Sequence, residues 1–560
     1  MFNHILNSKT KTVASAAFLL AFSALISRIL GLIRDRLLAG RFGAGEELDV
    51  YFAAFRIPDF VYGILIAGGI TVAFLPIFSE YFQKKEESAT EREWPAEAAE
   101  FTNNLLNCFL FLLVIICGIL AIFAPFIINL IVPGFSPERK LLVSQLTRIM
   151  FLSPIFFGIS SIFSGILQYF DKFLSYSLAP IFYNIGIIFG ILFLAPIFGV
   201  FGLALGVIFG AVLHFLIQLP AAKHSGFKYK LVLNFKYPGI KKVFKLMIPR
   251  IVGATADNLN LIVITAIAST LTVGSIAIFN FSNNLQNFPI GLIGISFAIS
   301  SFPTLSRFLA NGQKKEFFKN FSSSFRQIIF LIIPSSIILF LLRAQIIRLI
   351  YGTGKFGWWE TRLTAAGLGI FCFGIFFSSL IPLISRAFFS FQNTKTPVII
   401  GTISVILNIF FCSSFVFLLG REGIFHNFLA GLLKLEGLGN IEVIAFPLAI
   451  SLSAAIQLLL LLFFLYKKIG DFGIKEIFKA VKNIILAGAL MAVFTYISRQ
   501  VLAGFVNMQT FWGIFLQTLL AGFVGIFVYF LIAFLFKFEE LKIIKSSFLS
   551  LRRNNGTGKN

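Results

Sequence analysis

Charge is what this sequence has least of. Asp, Glu, Lys and Arg make up 13% of its 560 residues, where a soluble domain carries about 25%. A soluble fold is nearly excluded on that ground. Cysteine is scarce too. Cys108, Cys117, Cys372 and Cys412 lie in apolar stretches and form no CxxC pair, which argues against a metal site or a disulfide framework. They read as inert buried thiols. Of four histidines, only His214 sits clearly inside an apolar run, and it reads as a satisfied core residue. No Walker A motif, HExxH or GxSxG occurs, so the chain is expected not to be an enzyme and not to hydrolyse ATP.

What the chain does have is apolar length. It is 58% hydrophobic, with 74 Phe and a mean hydropathy of +0.91. Runs of about 20 apolar residues, enough to cross about 30 Å of hydrocarbon, recur from end to end. The first run lacks a small-residue cleavage site and reads as a retained span. Hydropathy gives about 14 spans, at 13–40, 49–83, 100–132, 142–170, 175–197, 200–221, 243–270, 273–309, 322–351, 363–390, 396–419, 441–466, 480–504 and 508–536. The loops and tails on the side of the termini hold about 31 Lys and Arg, against about 8 opposite, so both termini are expected in the cytoplasm. That distribution also accounts for the net charge of +23 without nucleic acid. The outward loop "GREGIFHNFLAGLLKLEGLGN" reads equally as a short interfacial helix or a surface loop.

The two halves of the chain resemble each other. "RILGLIRD" (Arg28–Asp35) matches "RIVGATAD" (Arg250–Asp257) in the pattern R-I-x-G-x-x-x-D. "FLPIFSEYFQKKEE" matches "SFPTLSRFLANGQKKE". "SGILQYFDKFLSYSLAPIFYN" matches "SRAFFSFQNTKTPVIIGTISVILN". All three fall in order at a spacing of roughly 220–230 residues, which six spans per half would give, so the repeat is parallel. The expected fold is an all-α integral membrane protein with two six-helix lobes, residues 1–222 and 223–467. Two further helices and a tail occupy 468–560. Two like bundles facing each other would enclose a cavity at the membrane midplane, where transporters place their substrate site.

Charge inside the first span stands out against this background. Arg28 and Asp35 are seven residues apart and share a helix face, with Gly31 between them and Arg34 at the flank. Arg250, Gly253 and Asp257 reproduce the stripe in span 7, and Arg56 in "AFRIPDF" adds a cation to span 2. Intramembrane ionisable groups mark substrate paths, and guanidinium forks suit phosphate oxygens. Asp35 and Asp257 read either as working groups or as neutralisers of nearby arginines. Arg36, near a span end, reads as an interface anchor. Gly68-Gly69 in span 2 is a bend or a packing site. "GLALGVIFG" (Gly202–Gly210) carries two small-xxx-small steps, which signal helix packing.

The stretch "SRILGLIRDRLLAGRFGAGEELDVYFAAFRIPDF" closely resembles the N-terminal signature of the MurJ (MviN) family of lipid II flippases, in the multidrug/oligosaccharidyl-lipid/polysaccharide exporter superfamily. "MIPRIVGATADNLN", "IAIFNFSNNLQNFPIGLIGISFAISSFPTLS" and "SRAFFSFQNTKTP" resemble its later spans. The resemblance implies movement of an undecaprenyl-diphosphate-linked peptidoglycan precursor across the cytoplasmic membrane by alternating access. The coupling would be to membrane potential or to a monovalent cation or proton. It places Arg28, Arg34 and Asp35 at the family's charged positions and Asp49 at its acidic one. With Arg56 and Arg250 from the charge pattern, and Asn284 at a position where many members have arginine, the expected substrate set is Arg28, Arg34, Asp35, Asp49, Arg56, Arg250 and Asn284, with Asp257 as the coupling-ion candidate. No other cofactor is implied. The expected partners are the lipid-linked precursor, membrane lipids and cell-wall synthesis proteins, with the chain a monomer.

Two departures accompany the resemblance. The family's basic residue after "FRIPDF" and its A-E-G step are here Tyr62 and Ala67-Gly68-Gly69, and Asn284 stands where many members have arginine. Arg56 and Arg250 compensate, or the head group differs. The competing readings are a flippase for another lipid-linked polysaccharide, a multidrug exporter, and a scaffold that recruits cell-wall enzymes. An exporter of cationic drugs should have an acidic cavity, and the arginines argue against it.

Overall fold

In the computed structural model, residues 13–83 and 93–543 are described; side chains at 13, 14, 16–18, 66–69, 71, 72, 249, 250 and 252–257 are not. The described chain is built of helices joined mostly by short turns, with a longer non-helical segment at 225–237. Eleven of them are long and apolar enough to cross a membrane by length and composition. The other three expected spans are helical at Val13–Phe42, at Glu46–Val61 continuing to Gln83, and at Pro238–Ala268. This is compatible with the expected number of spans. The 420s loop holds a helix, Ile424–Leu433. Its Ile424, Phe428 and Leu432 form one exposed apolar stripe at the four-residue spacing of a helix face, as an interfacial helix requires.

By contacts the chain divides into two compact units. One is Met1–Ala277 with Thr353–Phe356, and the other is Ile278–Gly352 with Gly357–Asn560. Packing shows the repeat in each. Span 6 packs on spans 4 and 5 in the first unit, and span 12 packs on spans 10 and 11 in the second. Likewise span 4 packs on spans 2 and 3, and span 10 on spans 8 and 9. Span 7 departs from this pattern. It belongs to the second half by sequence but lies along span 2, within the first unit.

The repeated motifs are in contact. The Ser79 hydroxyl of the first Pro-x-x-Ser lies near the Tyr169 hydroxyl, and Ser306 of the second is hydrogen-bonded to Ser390, 3.2 Å apart. Tyr169 and Ser390 fall within the paired third motifs. Both halves also lose regular α-helical geometry at the same place. A π-helical stretch runs from Tyr62 to Ile70 in span 2 and from Ile290 to Ile295 in span 8, each ahead of a helix with an internal proline, Pro76 or Pro303. A π-turn widens the hydrogen-bonded ring and often marks a functional segment.

Glycine sets the closest approach in the first unit. A Cβ on Gly190 would come within 2.4 Å of Gly206 Cα, and one on Gly186 within 2.3 Å of Gly210 Cα. The small-residue steps of Gly202–Gly210 are therefore the contact face between spans 5 and 6. The four cysteines are buried.

Candidate functional site

The charged residues of the first unit gather where spans 1, 2, 5 and 7 run beside one another. Span 1 meets span 5 through polar groups that recur every three to four residues. The Ser23 hydroxyl donates to Ser177. Asn184 donates its amide nitrogen to both the hydroxyl and the carbonyl of Ser27. That orientation leaves the Asn184 oxygen free to accept from Arg34 Nη1 at 3.3 Å. A Cβ on Gly31 would lie 3.9 Å from the same oxygen.

The Arg34 guanidinium then turns back to its sequence neighbour. Nε and Nη2 donate to one Asp35 oxygen at 2.9 and 2.8 Å. A guanidinium has five N–H groups. Three are used in these bonds, which leaves two on a side chain that is 25% accessible. Asp35 itself is 4% accessible. The sequence pattern joined Arg28 with Asp35 on one face; the bonds found for Asp35 come from Arg34. Arg28 is half-buried on the next stripe of span 1.

Span 2 supplies the second cation. Arg56 Nε donates to Thr265 Oγ1 of span 7 at 2.7 Å, and that hydroxyl donates to Leu261 O. Seven residues on, Gly63 abuts Asn258, whose amide would be 2.7 Å from a Cβ there. The two helices are thus antiparallel neighbours, with 56 level with 265 and 63 level with 258. One turn after Arg56 comes Asp59, which is exposed and within electrostatic reach of both Arg56 and Arg34. Among the described residues no ion pair within 4 Å clamps it. Tyr62, one turn further, sets its ring 4.9 Å from that of Phe157. Tyr51 and Tyr183 complete the surroundings of Arg34.

Asp49, expected in the substrate set, has backbone partners of its own. It is buried, and its two oxygens accept from the backbone of Gly274 at 2.6 Å and Ala277 at 2.8 Å. It caps the start of the helix Ser275–Pro289, whose first N–H groups have no partner of their own. Asn284 is half-buried on that helix, in the second unit. Arg250 and Asp257 lie on the helix Pro238–Ala268, but their side chains fall outside the described residues, as does the Gly68-Gly69 pair.

Sequence reasoning missed Asp59, Asn184 and Thr265. Asp59 stood inside the quoted "AFRIPDF", one turn after Arg56. Asn184 closes the third repeated motif, with Asn408 as its counterpart. Thr265 gave no signal.

A family profile described as "Lipid II flippase MurJ" matches residues 38–516. The chain belongs to the MurJ family. A probable lipid II flippase MurJ of Buchnera aphidicola subsp. Acyrthosiphon pisum is 32% identical over 394 residues, covering 69% of this chain and 74% of that one. A MurJ relative from Thermotoga maritima, also named a probable lipid II flippase, is 27% identical over 529 residues, covering 94% and 97%. A solved MurJ structure, in an inward closed conformation, aligns with a TM-score of 0.72 and 28% identity over 93% of this chain and 98% of that one. An inward-facing multidrug resistance MATE transporter of the MOP superfamily aligns with a TM-score of 0.60 and 14% identity, covering 79% and 95%. At that identity the likeness is one of fold. The MurJ family is thus where this chain's multi-pass helical fold belongs; Arg56, Asp59, Asn184 and Thr265 lie within residues 38–516 of the profile match, and Arg28, Arg34 and Asp35 lie just ahead of it.

Proposed function

We propose that this chain is a lipid II flippase, moving the undecaprenyl-diphosphate-linked peptidoglycan precursor from the inner to the outer leaflet of the cytoplasmic membrane. The observation that carries the reading is the placement of Arg34 and Arg56 on adjoining spans, with two Arg34 N–H groups uncommitted. A diphosphate offers oxygens in the geometry a guanidinium fork matches. In a site away from bulk water such a contact is stronger than at a surface. Arg28 extends the cationic run along span 1. Asp35 and Asn184 hold the Arg34 fork in place, so its position does not depend on the ligand.

Asp59 limits how tightly an anion is held. A carboxylate beside two arginines repels the diphosphate that they attract. The result is a site that binds and also releases, as transport requires. We take transport to run by alternating access, supported by the parallel repeat and by the matching π-helical stretches of spans 2 and 8. Both termini are taken as cytoplasmic from the Lys and Arg bias of the loops.

The energy source is taken to be the membrane potential or a monovalent cation or proton gradient, since one charge crossing 100 mV carries about 2.3 kcal/mol. Asp257 on span 7 is the proposed coupling group. Asp257→Asn should abolish the dependence of flipping on the ion gradient while leaving binding of the precursor intact.

The test of function is complementation in cells depleted of their own lipid II flippase, with an assay for precursor at the outer leaflet. The chain should restore surface precursor, and Arg34→Ala with Arg56→Ala should not. Equal restoration by the double variant would sink the reading.

A further inference from the structure

Within the second unit an apolar groove of about 610 Å³ runs between spans 9, 10 and 13. Ile333 and Phe340 of span 9, Phe373 of span 10 and Ile485 of span 13 line it. Gly488 lies at its floor, where a Cβ would come within 2.8 Å of Ile337. Span 13 lines it from Val481 to Ala492. At 1.5 Å per residue that is about 16 Å, or half of a hydrocarbon core about 30 Å thick.

At one end, where the helices of spans 9 and 13 finish, stand two arginines. Arg343 Nη1 donates to Phe340 O and Arg499 Nη1 to Leu341 O, each at 2.8 Å. These carbonyls are consecutive and close the helix Lys314–Leu341. Arg343 lies across Gly369 of span 10, with its Cδ 3.0 Å from where a Cβ would be. The two guanidinium groups are within electrostatic reach of each other. Neither has a carboxylate partner among the described residues, and both are partly accessible.

Capping a helix C-terminus accounts for one N–H of each arginine. Each guanidinium also lies over a ring, Arg343 at 4.7 Å from Phe340 and Arg499 at 5.0 Å from Tyr496; the repulsion between the two like charges at the mouth of an apolar groove is left, and an anion between them relieves it. The anion's chemistry follows from what lies below: a phosphate ester carrying an apolar chain.

We propose that this groove binds an anionic phospholipid, with an acyl chain along spans 9, 10 and 13 and the head-group phosphate between Arg343 and Arg499. Guanidinium forks match phosphate oxygens, and the apolar lining below them suits an acyl chain. The site is independent of the charged cluster in the first unit, and so of the transport reading.

The test uses the full purified chain in a zwitterionic detergent, titrated with phosphatidylglycerol and followed by native mass spectrometry. Arg343→Gln with Arg499→Gln keeps a donor for each carbonyl and removes both charges. It should weaken phosphatidylglycerol binding about tenfold. Ala489→Trp leaves both arginines and fills the groove, and it should do the same. The unfolding midpoint without lipid reports whether each variant is folded. Wild-type affinity in either folded variant overturns the proposal. Competition with undecaprenyl phosphate separates the two lipid sources: preference for the polyprenyl phosphate would overturn the phospholipid assignment.

Discussion

Asp35 is held by the residue before it: the Arg34 guanidinium donates two hydrogen bonds to one of its oxygens, at 2.9 and 2.8 Å. Neighbours on a helix point about 100° apart, so the long arginine side chain must turn back to make this contact. It can do so because Asn184 takes the third N–H from the side of span 5. Removing the carboxylate strands a cation, whereas changing the cation's shape leaves the charge and loses the fork.

Asp35→Ala should therefore destabilise the protein by about 3 kcal/mol, the low end for breaking a buried pair, seen as a lower unfolding midpoint in detergent. Arg34→Lys should unfold near the wild-type midpoint yet flip precursor about tenfold more slowly, because lysine is a point charge and no fork. A normal rate for Arg34→Lys would remove Arg34 from the proposed site.

Asp59→Asn removes the negative charge between Arg34 and Arg56. Binding of a soluble diphosphate analogue should tighten several-fold, while turnover in reconstituted vesicles falls because release slows. Weaker binding in this variant would contradict the role given to Asp59.

Asp49→Ala leaves the first N–H groups of the helix Ser275–Pro289 without their cap. A lost cap costs about 1–2 kcal/mol, here with two bonds at stake. The unfolding midpoint should fall, and affinity for precursor in the folded fraction should not change. An affinity loss without a stability loss would return Asp49 to the substrate set.

Gly206→Val puts a branched side chain where even a Cβ would be 2.7 Å from Gly190 Cα. Spans 5 and 6 would have to separate, and overpacking of this kind costs about 1–3 kcal/mol or more. Yield of folded protein should fall sharply. Gly437→Ala, at a loop position where a Cβ would touch nothing within 4 Å, serves as a milder comparison despite its positive φ.

Glu539, beyond the last span, pairs with Arg326 at 2.7 Å, and that bond and charge hold its carboxyl below its ordinary range. A depressed carboxylate stabilises the fold fully above its unfolded pKa of about 4.3. The contribution is lost as pH falls through the lower folded value. Glu539→Gln should lower the unfolding midpoint slightly at neutral pH, since Glu539 is 70% accessible. The difference from wild type should vanish in acid. A constant difference across that range would place the effect elsewhere.

The parts of this structure that were legible in the sequence share a cause. Apolar length is a one-dimensional quantity, so helices, their order and the repeat could be read directly. The pairings of Ser79 with Tyr169 and of Ser306 with Ser390 explain why two separate motifs recur together: in each half they meet. The helix Ile424–Leu433 was half legible, because a ten-residue apolar stretch in a loop fits two structures until its exposed stripe is seen.

The candidate site was legible as a set of charges and not as a set of bonds. Arg28, Arg34, Asp35 and Arg56 could be named from their cost in a membrane, since a charged group among apolar residues must have a use. Asn184 and Thr265 carry no such signal, because neutral polar groups are cheap enough to pass unnoticed.

The sequence by itself determined that this chain is a bundle of apolar helices with cations inside it, because burial and charge are properties of residues taken singly. Only the tertiary structure decided which groups those cations engage. Arg34 bonds to Asp35 and Asn184, Asp49 caps a helix 225 residues away, and span 7 lies along span 2 although its sequence repeats span 1. Hydrogen bonds need atoms about 3 Å apart, and the contacts between helices distant in sequence that bring them there are set by packing.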